Sequence, residues 1–283
     1  MSKIILLGAS GFVGRTLTPM LEKHELKYVA PSSTAINLTE VGSVSAIADL
    51  VRDGDTVIML AAHTPEKGNA AELTPKNLAM MQHLLLGIKG RSIAQLIYVS
   101  SDAVYPMTSD IIDEQTPAQP YDLYGMMHLM REQYARQAVA PEILTILRPC
   151  AIYGPGDTHH SYSINRFIRT ALTQGEITLF GDGEEYRDHI YCEDFARVIL
   201  TIQQNKIAGL FNVATGTSWR FRDIAAQIQT RVGNHVRIIH KPRAIPVTHR
   251  HFHTATLLRS IPSPMRSIPA GIEAFLVQPA AAA

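Results

Sequence analysis

Along the chain, short uninterrupted apolar runs alternate with longer stretches in which apolar residues recur at helical spacing. The runs Ile4–Leu7, Tyr28–Ala30, Thr56–Leu60, Leu96–Val99, Ile143–Leu147 and Leu210–Val213 read as strands. Helices are expected at Val13–Lys23, Val44–Val51, Pro75–Lys89, Leu123–Val139, Glu193–Ile202 and Arg222–Val232. Each strand is apolar throughout rather than at every second position, so helices should cover both faces of the sheet. This pattern predicts an α/β fold, a Rossmann-like doubly wound parallel sheet.

The rhythm breaks between Pro149 and Asp188, where Tyr153-Gly-Pro-Gly-Asp157 and Leu179-Phe-Gly-Asp-Gly183 are turn signals. Beyond Val232 the chain is basic, His-rich and Pro-rich without clear period. These pieces are expected to form a small discontinuous C-terminal substrate lobe, residues 151–188 and about 216–278. Residues 1–150 and about 189–215 would form the dinucleotide-binding domain. Pro279–Ala283 reads as a frayed tail or a cloning remnant.

Composition adds exclusions. With 283 residues, 46% of them hydrophobic, the chain can bury a substantial core without staples. A formal charge of +1 argues against a nucleic-acid partner, which usually demands a basic excess. Two cysteines make no disulfide framework. No run approaches the roughly 18 apolar residues of a membrane span. A glycine-rich segment interrupts the first apolar run too soon for a signal peptide, so a cytoplasmic protein is expected.

The segment Gly8-Ala-Ser10-Gly11-Phe12-Val13-Gly14 closes the first strand and opens the first helix. Its glycines permit a sharp turn and close approach to a pyrophosphate, while the helix N-terminus offers free N–H groups. The second strand ends Val29-Ala-Pro-Ser32-Ser33-Thr34, without the acid that would hold the ribose hydroxyls of NAD. A 2′-phosphate would be tolerated there, with Ser32, Ser33 and Arg15 as donors, which favours NADP over NAD. Those serines could equally form a plain loop. Further on, Ser101 ends a strand and Tyr124 begins a helix. A Ser beside a Tyr can hold a carbonyl oxygen and pass it a proton, and His128, four residues on, shares Tyr124's helix face.

Together these segments resemble the extended short-chain dehydrogenase/reductases, the nucleotide-sugar epimerase/dehydratase group. The GxxGxxG loop, Leu60-Ala61-Ala62-His63, Val99-Ser-Ser101-Asp102, Tyr124-Gly-Met-Met-His128 and Arg148-Pro149-Cys-Ala151-Ile-Tyr-Gly-Pro-Gly-Asp157 carry the likeness. So does Ile177-Thr-Leu-Phe180-Gly-Asp-Gly-Glu-Glu-Tyr-Arg187-Asp-His-Ile-Tyr-Cys-Glu-Asp194. The likeness implies a nicotinamide cofactor held by the loop and by Asn37, Leu38, Leu60, Ala61, Ala62, His63, Asn77, Val99, Tyr124, His128 and Pro149. Ser101 would orient the substrate oxygen and Tyr124 would be the acid/base. Ser101, Asp102, Ala151, Asn165, Phe180 and Arg187 would meet a nucleotide-sugar substrate, Arg187 neutralising a phosphate. The alternative for Arg187 is a surface ion pair with Asp188 or Glu185. Relatives of this kind often dimerise through paired helices, and Leu78, Met81, Leu85, Met126, Met127 and Met130 could serve that contact or ordinary core.

Three departures narrow the reaction. The family's Tyr-x-x-x-Lys is here Tyr124-x-x-x-His128, and an ordinary imidazole is mostly neutral at pH 7. A tyrosine without a fixed cation stays protonated, which suits reduction of a ketone better than oxidation of an alcohol; the alternative is that a neighbouring carboxylate keeps His128 charged. Asp102 is followed by Ala103 where 4,6-dehydratases carry a second acid, and Ala151 stands where epimerases carry Asn. The expected function is NAD(P)-dependent reduction of the C4 keto group of a nucleoside-diphosphate 4-keto-6-deoxy sugar. A 4-epimerase is the alternative, and an NADP-binding regulator with weakened catalysis is a third reading. His249, His251 and His253 alternate but lack Cys or carboxylate partners, so no metal is expected. His159-His160 reads as solvated, and Cys150 and Cys192 as packing residues.

Overall fold

The computed structural model describes residues 2–107, 110–157, 163–262 and 264–277. Six strands form its central sheet: β1 (Ile4–Leu7), β2 (Tyr28–Val29), β3 (Thr56–Met59), β4 (Gln95–Val99), β5 (Leu144–Pro149) and β6 (Gly209–Val213). The order is β2-β1-β3-β4-β5-β6 and every pairing is parallel. The uninterrupted apolar runs have the physical cause inferred from the sequence. Ile4 and Leu6 enter one core, and Ile5 and Leu7 enter another on the opposite face. Strand ends differ from the expected ones by a residue or two, as at Pro149, which extends β5 past Leu147.

Around the sheet lie α1 (Phe12–Lys23), α2 (Ser43–Leu50), α3 (Ala70–Gly87), α4 (Leu123–Ala138), α5 (Ser163–Gln174) and α6 (Cys192–Asn205). The chain then adds α7 (Phe221–Val232), α8 (Ala255–Ser260) and α9 (Ile268–Val277). α1 packs on α6 over one face, while α3 packs on α2 and α4 over the other. Helix α3 begins before the expected Pro75, because the Asn69 side chain accepts the Ala71 N–H at 2.9 Å and caps it at Ala70. Pro75 lies inside the helix, near enough to the start that its missing N–H costs one early bond.

The segments without a readable period are nevertheless ordered. Glu176–Phe180 pairs in parallel with Arg237–Lys241, and Ala151–Tyr153 with His189–Tyr191. Ile111–Ile112 pairs in parallel with His251–Phe252, and Tyr186–Arg187 antiparallel with Trp219–Arg220. Helices α5, α7, α8 and α9 and these short ladders share the core of the α1–α6 face. His159, His160 and Pro279–Ala283 lie outside the described residues. Among the described residues no helix is long and apolar enough to cross a membrane.

Candidate active site

Strands β1 and β3 are neighbours, yet α1 and α3 leave them toward opposite faces, so a crevice opens at their C-terminal ends. Gly8 turns there with φ +98°, and a Cβ on it would stand 2.7 Å from the Ala61 nitrogen. A Cβ on Gly14 would lie 2.4 Å from the Gly8 oxygen. Gly11 caps α1 without a side-chain hydrogen bond, and the first turn carries no acid. The leading N–H groups are therefore open to an anion in a cradle that side chains would fill. This arrangement fits a dinucleotide pyrophosphate.

Of the residues expected from the sequence, the cleft is lined by Gly8, Gly11, Phe12, Val13, Gly14, Leu60, Ala62, Val99, Ser101, Asp102, Tyr124, His128 and Pro149. Thr64, Lys67, Ser100, Cys150 and Ile152 complete it, and the sequence reading missed them. The larger cavity of about 700 Å³, bordered by Leu86, Ile93 and Val139, lies at the N-terminal ends of β4 and β5. That is the wrong end of a parallel sheet for its ligand.

Other expected residues hold the cleft's surroundings. Asn77 accepts the His63 N–H at 2.7 Å and donates to the His63 oxygen at 2.8 Å, fixing the loop after β3. Arg15 donates to the carbonyls of Ser10 and Gly156, both at 2.6 Å, and so ties the glycine loop to the turn at Gly156. Ser32 closes its own loop through Thr34 and the Ala35 N–H, and Ser33 is exposed beside it. Asn37 accepts from Thr39 in a local turn, while Leu38 is core.

On the substrate side, Asn165 accepts the Gly154 N–H at 3.0 Å and donates to Asp157. Ala151 lies in its short strand, and Phe180 is exposed under Arg166. Arg187 donates to the Tyr186 and Thr248 carbonyls and to Thr248 Oγ1, rather than pairing with Asp188 or Glu185. Asp188 is buried and accepts from Thr215 and Gly216, whereas Glu185 pairs with Arg243. The neighbouring cation Arg250, 3.5 Å from Asp102, was hidden in the sequence between His249 and His251. Those two histidines flank the Tyr186 ring at 5.5 and 5.4 Å.

Local packing brings the catalytic candidates together. Asp122 caps α4 by accepting the Gly125 N–H at 2.8 Å, and Ser101 begins the adjacent turn by accepting the Ala103 N–H at 3.1 Å. A Cβ on Gly125 would lie 2.1 Å from the Ala103 oxygen, so only glycine lets α4 press its first turn against the Ser101 turn. Tyr124 and Ser101 thereby face one cleft. The His128 ring meets the Tyr124 ring edge-on at 4.6 Å, and its Nδ1 lies 2.7 Å from the Tyr98 hydroxyl. His128 Nε2 has no partner among the described residues. Below it, Glu132 accepts two bonds from Arg148, at 2.9 and 2.6 Å, and one from Ser100 at 2.6 Å.

Burial holds the His128 ring well below the ordinary imidazole range, and the Arg131 guanidinium adds to this, so the ring is neutral. Burial, then the carboxylates of Asp102 and Glu66, raise the Tyr124 phenol; Arg131 and the Ser101 hydroxyl act against them. Tyr124 is thus a protonated phenol at rest. Cys150 is pushed well up by burial and Cys192 up to about 11, which makes both thiols inert packing groups.

A glycine cradle at the switch point, with Ser and Tyr facing the same cleft, defines a dinucleotide-binding α/β protein of the short-chain dehydrogenase/reductase type. Residues 4–214 match the model of the NAD dependent epimerase/dehydratase family, and the chain belongs to that family of enzymes. A relative in Escherichia coli O157:H7, N-acetyl-alpha-D-glucosaminyl-diphospho-ditrans,octacis-undecaprenol 4-epimerase, is 24% identical over 252 residues, 84% of this chain and 75% of its own. The structure of RMD from Pseudomonas aeruginosa complexed with NADPH superposes with TM-score 0.83 at 21% identity, covering 97% of this chain and 98% of that one. UDP-glucose 4-epimerase from Thermotoga maritima, with UDP-glucose, gives TM-score 0.82 at 20% identity over 97% of each chain.

Proposed function

We propose that the protein reduces the C4 keto group of a nucleoside-diphosphate 4-keto-6-deoxy sugar, in the cytoplasm, with NADPH preferred to NADH. The observation that carries the direction is the buried, neutral His128 at the position of the family's lysine. Without a fixed cation at that position Tyr124 remains a phenol, able to protonate a forming alkoxide and poorly able to deprotonate an alcohol. A bound nicotinamide supplies the hydride exchanged at the sugar carbon. The Gly8–Gly14 loop and the start of α1 hold its pyrophosphate, and His128 lines the cleft with a buried Nε2 that has no partner among the described residues, which supports a bond from it to a cofactor hydroxyl. Ser101 orients the substrate oxygen, while Arg187 and Arg250 provide positive charge near Asp102 for a sugar-nucleotide phosphate. The preference for NADP rests on the missing acid after β2.

A 4-epimerase is the second reading, favoured by the named activity of the Escherichia coli relative. A nucleoside-diphosphate 4-keto-6-deoxyhexose, mixed with the protein and NADPH or NADH, separates the readings. Stoichiometric loss of nicotinamide absorbance, faster with NADPH, supports the reductase. Interconversion of two sugar nucleotides without net consumption replaces it with the epimerase. Cofactor binding without turnover on any sugar nucleotide replaces both with an NADP-binding regulator.

A further inference from the structure

Helix α4 carries a fully buried guanidinium, that of Arg131, one turn beyond His128. Its Nη2 donates to the Ala61 carbonyl at 2.9 Å, but Nε and Nη1 have no partner among the described residues. The adjacent carboxylate does not neutralise it, since Glu132 is bound to Arg148 and Ser100. Burying an unpaired cation is costly, and an apolar side chain of similar volume would fill the same space without that cost. The charge therefore points to an anion that forms only part of the time.

One column of rings leads from it to the cleft. The Arg131 Cζ lies 5.0 Å from the Tyr98 ring centroid, Tyr98 is bonded to His128, and the His128 ring abuts Tyr124. Tyr124, His128 and Arg131 recur at helical spacing and so share one face of α4. We propose that the buried guanidinium of Arg131 steadies the Tyr124 oxygen once it has given up its proton, offsetting part of the cost of burial while leaving Tyr124 protonated at rest. This rests on the reading of Tyr124 as the proton donor. In the step, the Tyr124 O–H bond breaks and its proton goes to the sugar oxygen, while the C=O π bond opens and the carbon gains the hydride, hydrogen with its electron pair, that a bound reduced nicotinamide would supply. The phenolate left behind then takes a proton from water through the cleft, so one solvent proton is consumed for each carbonyl reduced. The charges that weigh most on Tyr124 are Asp102 and Glu66, which oppose a phenolate, and Arg131, which favours it; Lys67 also lines the cleft. The low local dielectric strengthens that attraction. Arg131 is in this sense a positioning charge, acting on Tyr124 rather than touching substrate.

The test places a fluorinated tyrosine, whose phenol ionises within the stable pH range, at position 124 and follows its phenolate absorbance. Arg131→Met should raise that midpoint by about one pH unit or more, tenfold in phenolate population per unit. Arg131→Lys should hold it near the parent value, and His128→Lys in the Arg131→Met background should bring it back. If Arg131→Met does not fold, Arg131→Gln, which loses the charge but keeps a donor for Ala61, takes its place. With a keto-sugar nucleotide, kcat should fall about tenfold or more at nearly constant KM, and the double variant should recover it. An unmoved midpoint, or no recovery on adding His128→Lys, overturns the proposal. Loss of turnover in a folded variant whose midpoint is unchanged likewise reduces Arg131 to a tether for Ala61. A shifted midpoint in a protein that turns over no sugar nucleotide upholds the charge on Tyr124 and overturns the reductase reading instead.

Discussion

Neutrality of His128 can be measured without any substrate, through the pH dependence of stability. The ring is 2% exposed, bonded to Tyr98 and close to Arg131, and its folded pKa lies well below the ordinary 6.5. Above about pH 6.5 neither the folded nor the unfolded ring binds a proton, so it adds no pH dependence. As pH falls below that value the unfolded ring takes a proton that the folded ring refuses, and stability is lost. The loss approaches about 1.4 kcal/mol per pH unit and totals about 2 kcal/mol by pH 5. His189, lowered to about 3 by burial, adds a loss of the same sign. Asp102 and Asp188, raised by burial, act in the opposite sense as pH falls through their folded values. Both contributions cancel in a comparison of wild type with His128→Gln. Urea unfolding at a series of pH values should show wild type losing about 2 kcal/mol more than the variant between pH 7 and 5. Parallel curves would mean that the folded ring takes up a proton, and the argument from a neutral His128 would fail.

Further outcomes follow from the same geometry. Gly14→Ala places a Cβ 2.4 Å from the Gly8 oxygen and should weaken NADPH binding by about tenfold or more, read by fluorescence titration. Gly42→Ala, with nothing within 4 Å, should bind as wild type does. Glu132→Ala leaves Arg148 buried and unpaired and should cost about 3–5 kcal/mol in urea unfolding. Replacing both Glu132 and Arg148 by Met should cost clearly less than the two single changes summed. His128→Lys should raise oxidation of the sugar alcohol more than reduction of the ketone, and equal gains in the two directions would remove the asymmetry.

The sheet was legible because a strand covered on both faces must be apolar at every position, and Ile4–Leu7 or Thr56–Met59 can satisfy no other role. The glycine loop was legible because its spacing follows from backbone contact with Ala61 and Gly8 rather than from side-chain identity. Arg237–Lys241 was not, since this edge strand is only partly covered and alternates weakly. Helix α5 was passed over although Ile164, Phe167, Ile168 and Ala171 recur at helical spacing, because the turn signals on either side broke the strand–helix alternation around it. Arg131 and Glu132 carry no local signal of burial in the sequence. In the fold Glu132 turns to Arg148 on β5, and Arg131 to Tyr98 on β4 and to Ala61. Nothing in local spacing announces partners supplied by distant strands. The methionine stripe divided similarly: Met81 and Met127 are core, while Met126 and Met130, one turn apart, face outward.

Net reduction at the sugar's C4 leaves an isotopic signature in the product. C4-deuterated NADPH, carrying the label on the transferred face, is incubated with a nucleoside-diphosphate 4-keto-6-deoxyhexose and the product examined by mass spectrometry. The product should carry one deuterium on the sugar carbon per cofactor oxidised. Conversion of a sugar nucleotide to its epimer with no label incorporated, the same bound cofactor having taken and returned the hydrogen, would contradict net reduction.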